Sequence, residues 1–301
     1  MSHIPVLMVP VLKTFRKRTV TTFFDGTLGL GGHAAALLGQ HPELQTYIGV
    51  DKDERALAIA IAATTVNDTT TLNTRRGCYG DVTPTLQRDA LLGSPARLSG
   101  ALLDLGVSSL QLDDGARGFS HSRYGALDMR MDDSLGMTAA DVVQTYSEAA
   151  LVRVLGLYGD VRKPRRLARS LVAARGAAPL RTTTQLVAAL ERHLPREPKG
   201  RRRELAKVFQ SLRIAVNAEL EVLRGALPPL AALLERGGAL AVISFHSGED
   251  RIVKHTFAEL AAGSGGELLV ATKRPVVADE AEREANPRSR SAKLRVLERR
   301  S

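Results

Sequence analysis

At 301 residues and 44% hydrophobic, the chain is long enough to bury a full core and to carry a second lobe beside a nucleotide-binding one. A lone cysteine, Cys78, excludes an internal disulfide and a cysteine-rich zinc site, and the lack of Trp argues against an extended stacking platform for single strands. The net charge of +10 is concentrated: Arg162 to Lys207 holds 14 Lys and Arg against Glu191, Glu197 and Glu204, a net of +11, and the rest of the chain sums to −1. That asymmetry is the footprint of a polyanion-binding surface, the alternative being a solvated basic face with no partner.

The first twelve residues are apolar but broken by Pro5 and Pro10, and the basic residues Lys13, Arg16, Lys17 and Arg18 follow them, the reverse of a secretory leader. No apolar run approaches membrane-spanning length. The expectation is a soluble cytoplasmic protein without membrane contact, or one in an organelle of bacterial descent if a leader has been removed.

The β-prone run Thr19–Phe24 leads into Asp25-Gly-Thr-Leu-Gly-Leu-Gly-Gly-His33, a helical segment Ala34–Gly39, and a second β-prone run, Tyr47–Val50, ending in Asp51. Strand, glycine turn, helix, strand, acid is the order of a nucleotide-binding βαβ unit, with Asp51 placed to accept from ribose hydroxyls. The spacing Gly29-x-Gly31-x-x-Ala34 also satisfies the NAD fingerprint. Asp25 separates the two readings, because a carboxylate at the end of the first strand repels a pyrophosphate but attracts the sulfonium and amino cations of S-adenosylmethionine. A turn-forming Asp before Gly is the structural alternative for Asp25.

Glu54–Ala63 reads as a helix, Thr64–Thr74 as an exposed loop, Arg75–Asp81 as the end of a third strand, and Leu86–Leu92 as the next helix. Ala101–Gly106 is a short buried strand carrying Asp104 near its end. The alternation then stops. Helices are expected over Ala139–Tyr158, Arg165–Arg175 and Thr183–Leu194, with Pro195–Arg203 a basic loop. Phe209, Leu212, Val216, Leu220 and Leu223 line one face of a helix by their spacing, a pattern that Pro228-Pro229 interrupts. Ala239–Ser244 resumes the sheet, and Glu267–Ala271 with Lys293–Glu298 supply a closing pair of strands.

These elements predict an α/β architecture: a Rossmann-like S-adenosylmethionine-dependent methyltransferase sheet, residues 1–111 and 208–301, with a mostly helical, basic domain for substrate recognition inserted at 112–207.

Taken together, His3–Leu7, Asp25–His33, Leu102–Ser109, Gln111–Asp114, Arg117–Phe119, Leu127–Met131, Phe209-Gln210, Arg213-Ile214, Val216–Glu219, Ser244–Ser247, Glu249–Lys254 and Asn286–Arg295 resemble, in order and nearly end to end, the bacterial-type 16S ribosomal RNA cytosine-N4 methyltransferases. Leu110 and Gly248 depart from the family's usual Pro and Leu, and Tyr79 stands where Phe is common; Gly248 is expected to loosen the turn after Ser247. The resemblance implies methylation of the exocyclic N4 of a decoding-centre cytidine, with small-subunit rRNA as the partner. It also implies that Gly31, Gly32, His33, Asp51, Tyr79, Asp104 and Gln111 contact S-adenosylmethionine.

Cytosine N4 is a weak nucleophile because its lone pair is delocalised, so an acceptor for an N4 hydrogen assists. Asp104 is the candidate catalytic residue for that role, although it could equally serve the cofactor. Phe245 is placed to stack on a base, and His246 or the serines Ser244 and Ser247 to bond its edge, with structural roles the alternative for Phe245 and His246. The adjacent pairs Asp113/Asp114 and Asp132/Asp133 point apart on most backbones, so no required metal is expected. Two other classes compete. A small-molecule methyltransferase leaves the +11 segment unexplained, and a non-catalytic RNA-binding protein leaves Asp25, Asp51 and Asp104 unexplained.

Overall fold

The computed structural model describes residues 4–86, 97–134 and 136–301. The chain divides into two compact units, one holding residues up to Gly106 together with Leu220–Ser301, the other Val107–Glu219.

In the first unit, α1 (Met8–Phe15) precedes β1 (Thr22–Asp25), α2 (Gly32–Gln40), β2 (Thr46–Asp51), α3 (Glu54–Ala63), β3 (Thr71–Arg76), α4 (Tyr79–Leu86) and β4 (Leu98–Asp104). The second unit holds α5 (Ser109–Asp113), α6 (Ala139–Thr145), α7 (Glu148–Gly159), α8 (Pro164–Ala177), α9 (Thr183–Leu190) and α10 (Pro198–Asn217). The chain then runs on through α11 (Glu219–Leu233), β5 (Leu234–Ser244), α12 (Ser247–Gly263), β6 (Leu268–Val270), α13 (Glu280–Ala285) and β7 (Lys293–Arg299).

The seven strands form one sheet in the order β3-β2-β1-β4-β5-β7-β6. Strands β1 to β5 are parallel, and β7 is antiparallel to both β5 and β6. The inner strands are apolar on both faces, as a sheet covered on both sides requires. Phe23, Tyr47, Leu102 and Ile243 pack on one side with Phe15 and Leu37 of the first two helices. Phe24, Ile48, Leu103 and Val242 pack on the other with Leu227 and Phe257 of α11 and α12. Strand order reverses between β1 and β4, and the crevice at the carboxyl ends of such neighbours is where open α/β sheets bind ligands. Asp25 and Asp104 end those two strands.

Several sequence expectations are corrected. The Thr-rich stretch is not all loop: its last residues, from Thr71, begin β3. As an edge strand it pairs on one side only and tolerates a polar, largely solvated sequence. Helix α4 starts at Tyr79, earlier than expected; the expected helix beyond Leu86 lies outside the described residues. Ala139–Tyr158 is two helices, because Ser147 turns extended and caps α7 through the Ala150 amide. Helix α9 stops at Leu190 and tightens into a 3-10 turn over Glu191–His193.

Most of Pro195–Arg203 is helix rather than loop. Pro198 occupies the first helical position, where its missing N–H is no loss, and the Glu197 carboxylate caps the Lys199 and Gly200 amides. The helix expected to run from Phe209 to Leu223 breaks at Ala218, which is left-handed (φ 48°). Pro228 and Pro229 lie inside α11 without ending it. Each forfeits a helical bond, at about 3 kcal/mol in an isolated helix. Leu220, Leu223, Leu227, Leu230 and Leu233 offset this by burying on one face, each contributing about 2 kcal/mol.

The second unit has its own core, in which Leu151 and Leu155 of α7 meet Leu167 and Leu171 of α8 and Val208 and Leu212 of α10.

Candidate active site

The loop after β1 is shaped by glycines. Gly29 and Gly31 both take positive φ (55° and 79°), and a Cβ on Gly32 would lie 2.4 Å from Pro5 Cγ. The Gly26 amide bonds to Leu102 O (3.0 Å) and the Leu28 amide to Val50 O (2.9 Å), so neighbouring strands hold the turn from both sides. Gly31 caps α2, leaving the amides of Gly32 and His33 in its first turn without helical acceptors.

Three acids end three adjacent strands. Asp25 is 1% exposed; its Oδ1 accepts from the Thr27 amide (3.0 Å) and its Oδ2 from the Tyr47 hydroxyl (2.9 Å). The bond to Thr27 is the turn expected of an Asp before Gly. Burial, with a smaller push from the Asp51 charge, raises its pKa to about 6. Asp51 accepts from the Gly29 amide at Oδ2 (2.8 Å) and the Asp53 amide at Oδ1 (2.9 Å), and burial raises its pKa too. Both oxygens keep a second lone pair for a ligand hydroxyl.

Asp104 differs from the other two. Its backbone amide bonds to Thr27 Oγ1 (2.6 Å), but the carboxylate Oδ1 is buried without a hydrogen-bond partner among the described residues. Burial, then the charges of Asp25 and Glu249, push its pKa well above the usual carboxylate range. Oδ2 faces His33 Nδ1 at 3.7 Å. His33 Nε2 lies 3.0 Å from the Val6 carbonyl, which can only accept, so Nε2 carries a hydrogen and Nδ1 is the nitrogen that faces Asp104.

Tyr79 begins α4, half-buried, with its Cβ 2.8 Å from where a Cβ on Gly26 would stand. Gln111 lies in the second unit, 5% exposed, where it closes the capping box of α5: its Oε1 accepts from the Ser108 amide (3.1 Å), and its own amide bonds to Ser108 Oγ (3.2 Å).

After β5, His246 caps α12. Its Nδ1 accepts from the amides of Gly248 (3.2 Å) and Glu249 (3.4 Å). Glu249, 2% exposed, returns the favour through Oε2, which accepts from Phe245 N (2.7 Å) and His246 N (3.2 Å). The turn is therefore held by two side chains, and Gly248 supplies one of its amides. The role read for His246 from sequence, bonding a base edge, competes with this capping role for the same ring.

Sequence reasoning missed Tyr47, Thr27 and Glu249. The first two contact their acids across strand registers that no local pattern reveals. Glu249 stands three residues after the cap, at capping-box spacing, but His is an unusual cap. Among the described residues no three His, Cys, Asp or Glu side chains gather as metal ligands, and no helix is long and apolar enough to cross a membrane.

The cluster fits a cationic ligand. Several buried acids converge, one carries an orphaned oxygen, and the helix amides beside them suit a carboxylate. S-adenosylmethionine combines these features with ribose hydroxyls suited to Asp51.

A family model described as the MraW methylase family matches residues 1–300. A Ribosomal RNA small subunit methyltransferase H from Deinococcus deserti is 45% identical over 300 residues, covering 99% of this chain and 93% of that protein. Proteins of the same description from Deinococcus radiodurans and Heliobacterium mobile are 44% and 40% identical. The first covers 99% of this chain and 90% of the relative, the second 98% of each.

Proposed function

The chain belongs to the MraW methylase family, and on that premise we propose that it transfers a methyl group from S-adenosylmethionine to the exocyclic N4 of a decoding-centre cytidine in small-subunit ribosomal RNA. The observation that carries the chemistry is the orphaned Asp104 Oδ1 within an acid cluster at the reversal of strand order.

S-adenosylmethionine, when bound, supplies an electrophilic methyl on a sulfonium. Gly31, Gly32 and His33, at the start of α2, would hold the amino-acid portion, Asp51 would accept from the ribose, and Tyr79 would flank the adenine. Asp25 acts from beneath: its carboxyl braces the turn through Thr27 and adds negative potential. Asp104 holds a proton while burial and the Asp25 and Glu249 charges surround it. Beside a bound cation Asp104 would release that proton to solvent, and its carboxylate would then accept an N4 hydrogen at Oδ1 and localise the nitrogen lone pair. The rest of the work is alignment of nitrogen, methyl and sulfur. The basic second unit recognises RNA, and the protein works in the cytoplasm, where its substrate is assembled.

The test is methyl transfer from labelled S-adenosylmethionine to small subunits lacking the modification, followed by nucleoside analysis. N4-methylcytidine at a single decoding-centre site is the expected product. Label in another nucleoside, or in protein, overturns the assignment.

A further inference from the structure

The second unit contains a cleft of about 650 Å³ between the exposed side of α7 and the start of α8. Arg153 comes from α7; Arg162, Lys163, Arg165 and Arg166 come from the turn into α8 and its first residues. All five are exposed, and none makes a side-chain hydrogen bond or ion pair among the described residues. Among the described residues no acid lines the cleft. Glu204 is buried and accepts the Arg162 backbone amide (2.7 Å).

Some basic side chains elsewhere in the unit are matched by acids: Arg130 pairs with Asp128, Arg201 with Glu191, and Arg213 with Glu219. Five like charges with no acid among them repel each other around one hollow, and an anion from outside would relieve that repulsion. The floor is the opposite in character. It is mostly carbon, and it includes Leu157, which is 70% exposed, and Pro164.

Cations at the rim and an apolar floor match one nucleotide in particular: an unpaired one, with its flanking phosphates outward and its base or ribose inward. A paired base keeps its faces stacked inside a helix and offers the floor nothing, whereas a splayed base lies on aliphatic carbon or on a guanidinium plane. An acidic peptide would match the charge but leave its backbone amides facing a floor with little to bond them.

We propose that this cleft holds an unpaired nucleotide of the RNA substrate, with its phosphates on Arg153, Arg162, Lys163, Arg165 and Arg166 and its base or ribose over Leu157 and Pro164. The proposal rests on the small-subunit rRNA reading above and specifies where in the basic unit the strand is gripped.

The test uses the full chain and a labelled single-stranded oligouridylate of about 12 nucleotides, titrated from roughly 50 to 200 mM salt. The variant R153Q/R165Q/R166Q is expected to bind at least about tenfold more weakly and to flatten the log–log salt slope by about 2, as loss of three single-strand phosphate contacts requires. L157S is expected to weaken binding with the slope unchanged. The control K273Q/R274Q/R283Q, which removes the same charge from exposed, unpaired positions of the first unit, is expected to change both far less. Unaltered affinity for S-adenosylmethionine shows that each variant is folded.

Equal losses in the control, equal binding of a duplex of the same length, or competition by polyglutamate as effective as by RNA each overturns the cleft assignment. Methyl transfer to unmodified small subunits separates the two levels. If the wild type methylates them and the cleft variant shows an unchanged KM, the cleft assignment fails alone; if the wild type transfers nothing, the rRNA reading falls and takes the cleft with it.

Discussion

His33 Nδ1 and Asp104 Oδ2 face each other across 3.7 Å at the carboxyl ends of β1 and β4, one on the glycine turn and the other on the strand beside it. The Val6 carbonyl accepts from Nε2, so Nδ1 is the ring nitrogen that faces Asp104. Oδ1 of Asp104, buried and without a hydrogen-bond partner among the described residues, is the unoccupied acceptor. Asp104→Asn keeps the shape of the site but cannot ionise. The expected result is a kcat at saturating cofactor at least about 100-fold lower, the scale of lost proton-transfer assistance. Steady-state methyl transfer checks it; a loss confined to cofactor affinity would assign Asp104 to binding alone.

His33→Ala removes the ring that links the Val6 carbonyl to the Asp104 carboxyl. Without it, Asp104 loses the polar group that faces its Oδ2 at 3.7 Å. Binding of cofactor is expected to weaken and kcat to fall, both less than in Asp104→Asn. His33→Gln, which retains a polar end group, should recover part of the kcat; comparing the two variants under saturating cofactor is the measurement.

Asp25 predicts a pH dependence of stability. Its native pKa is about 6 against an ordinary 3.8, so between those values the folded protein binds more protons than the unfolded chain, and stability must fall as pH rises through that window. A shift of this size corresponds to about 3 kcal/mol. Asp51 and Asp104 are shifted in the same direction and add to the slope. Asp25→Asn should remove the Asp25 share: denaturant unfolding of the cofactor-free protein from pH 4 to 7 should show a shallower decline than in wild type. Parallel curves would place the native Asp25 pKa at its ordinary value.

The parts of the site legible in the sequence were those encoded locally. Gly29 and Gly31 mark backbone that must take positive φ, and Asp25, Asp51 and Asp104 follow apolar runs that are strands because both faces are covered. The parts that were not legible depend on distant partners. Tyr47 reads as one more apolar strand residue, yet its hydroxyl crosses to Asp25 on the neighbouring strand. A third strand ending from Arg75 onward was legible, but its first residues, Thr71–Thr74, have the composition of a loop and are strand through pairing with β2. Pro198 and Pro228-Pro229 misled for opposite reasons. The first sits where a helix welcomes proline, and the pair is overridden by leucines buried along the same helix.

Two glycines of the turn separate conformational strain from steric exclusion. Gly29 has φ 55°, and a Cβ there would find its nearest neighbour at 3.8 Å, so Gly29→Ala bears the left-handed penalty alone, about 1–2 kcal/mol. Gly31 has φ 79°, and its Cβ would lie 2.8 Å from Thr64 Oγ1 and 3.3 Å from Ala60 Cα. Because the Ala60 backbone is fixed in α3, Gly31→Ala should cost a further 1–3 kcal/mol, roughly. Thermal unfolding of the two variants should rank them in that order, and cofactor affinity should fall further in Gly31→Ala. Equal destabilisation would mean that α3 yields.

Asn217 closes α10 by bonding to a segment far away in sequence. Its Nδ2 donates to Met129 O (2.8 Å) and Arg213 O (2.9 Å), and its Oδ1 accepts from the Met131 amide (2.8 Å). It is 3% exposed, and Met129 between the bonded groups is left-handed, with φ 62°. A non-glycine residue persists in that conformation only when its surroundings over-determine it. Asn217→Ala leaves a buried amide and carbonyl unpaired, for an expected loss of about 2–4 kcal/mol. Asn217→Asp keeps an acceptor for Met131 but turns a buried oxygen toward the Met129 carbonyl, so it should destabilise at least as much. Denaturant unfolding measures the loss, and hydrogen exchange at the Met131 amide should quicken in both variants. A loss under about 0.5 kcal/mol, with that amide still protected, would show that the Met129 turn is held by packing rather than by Asn217.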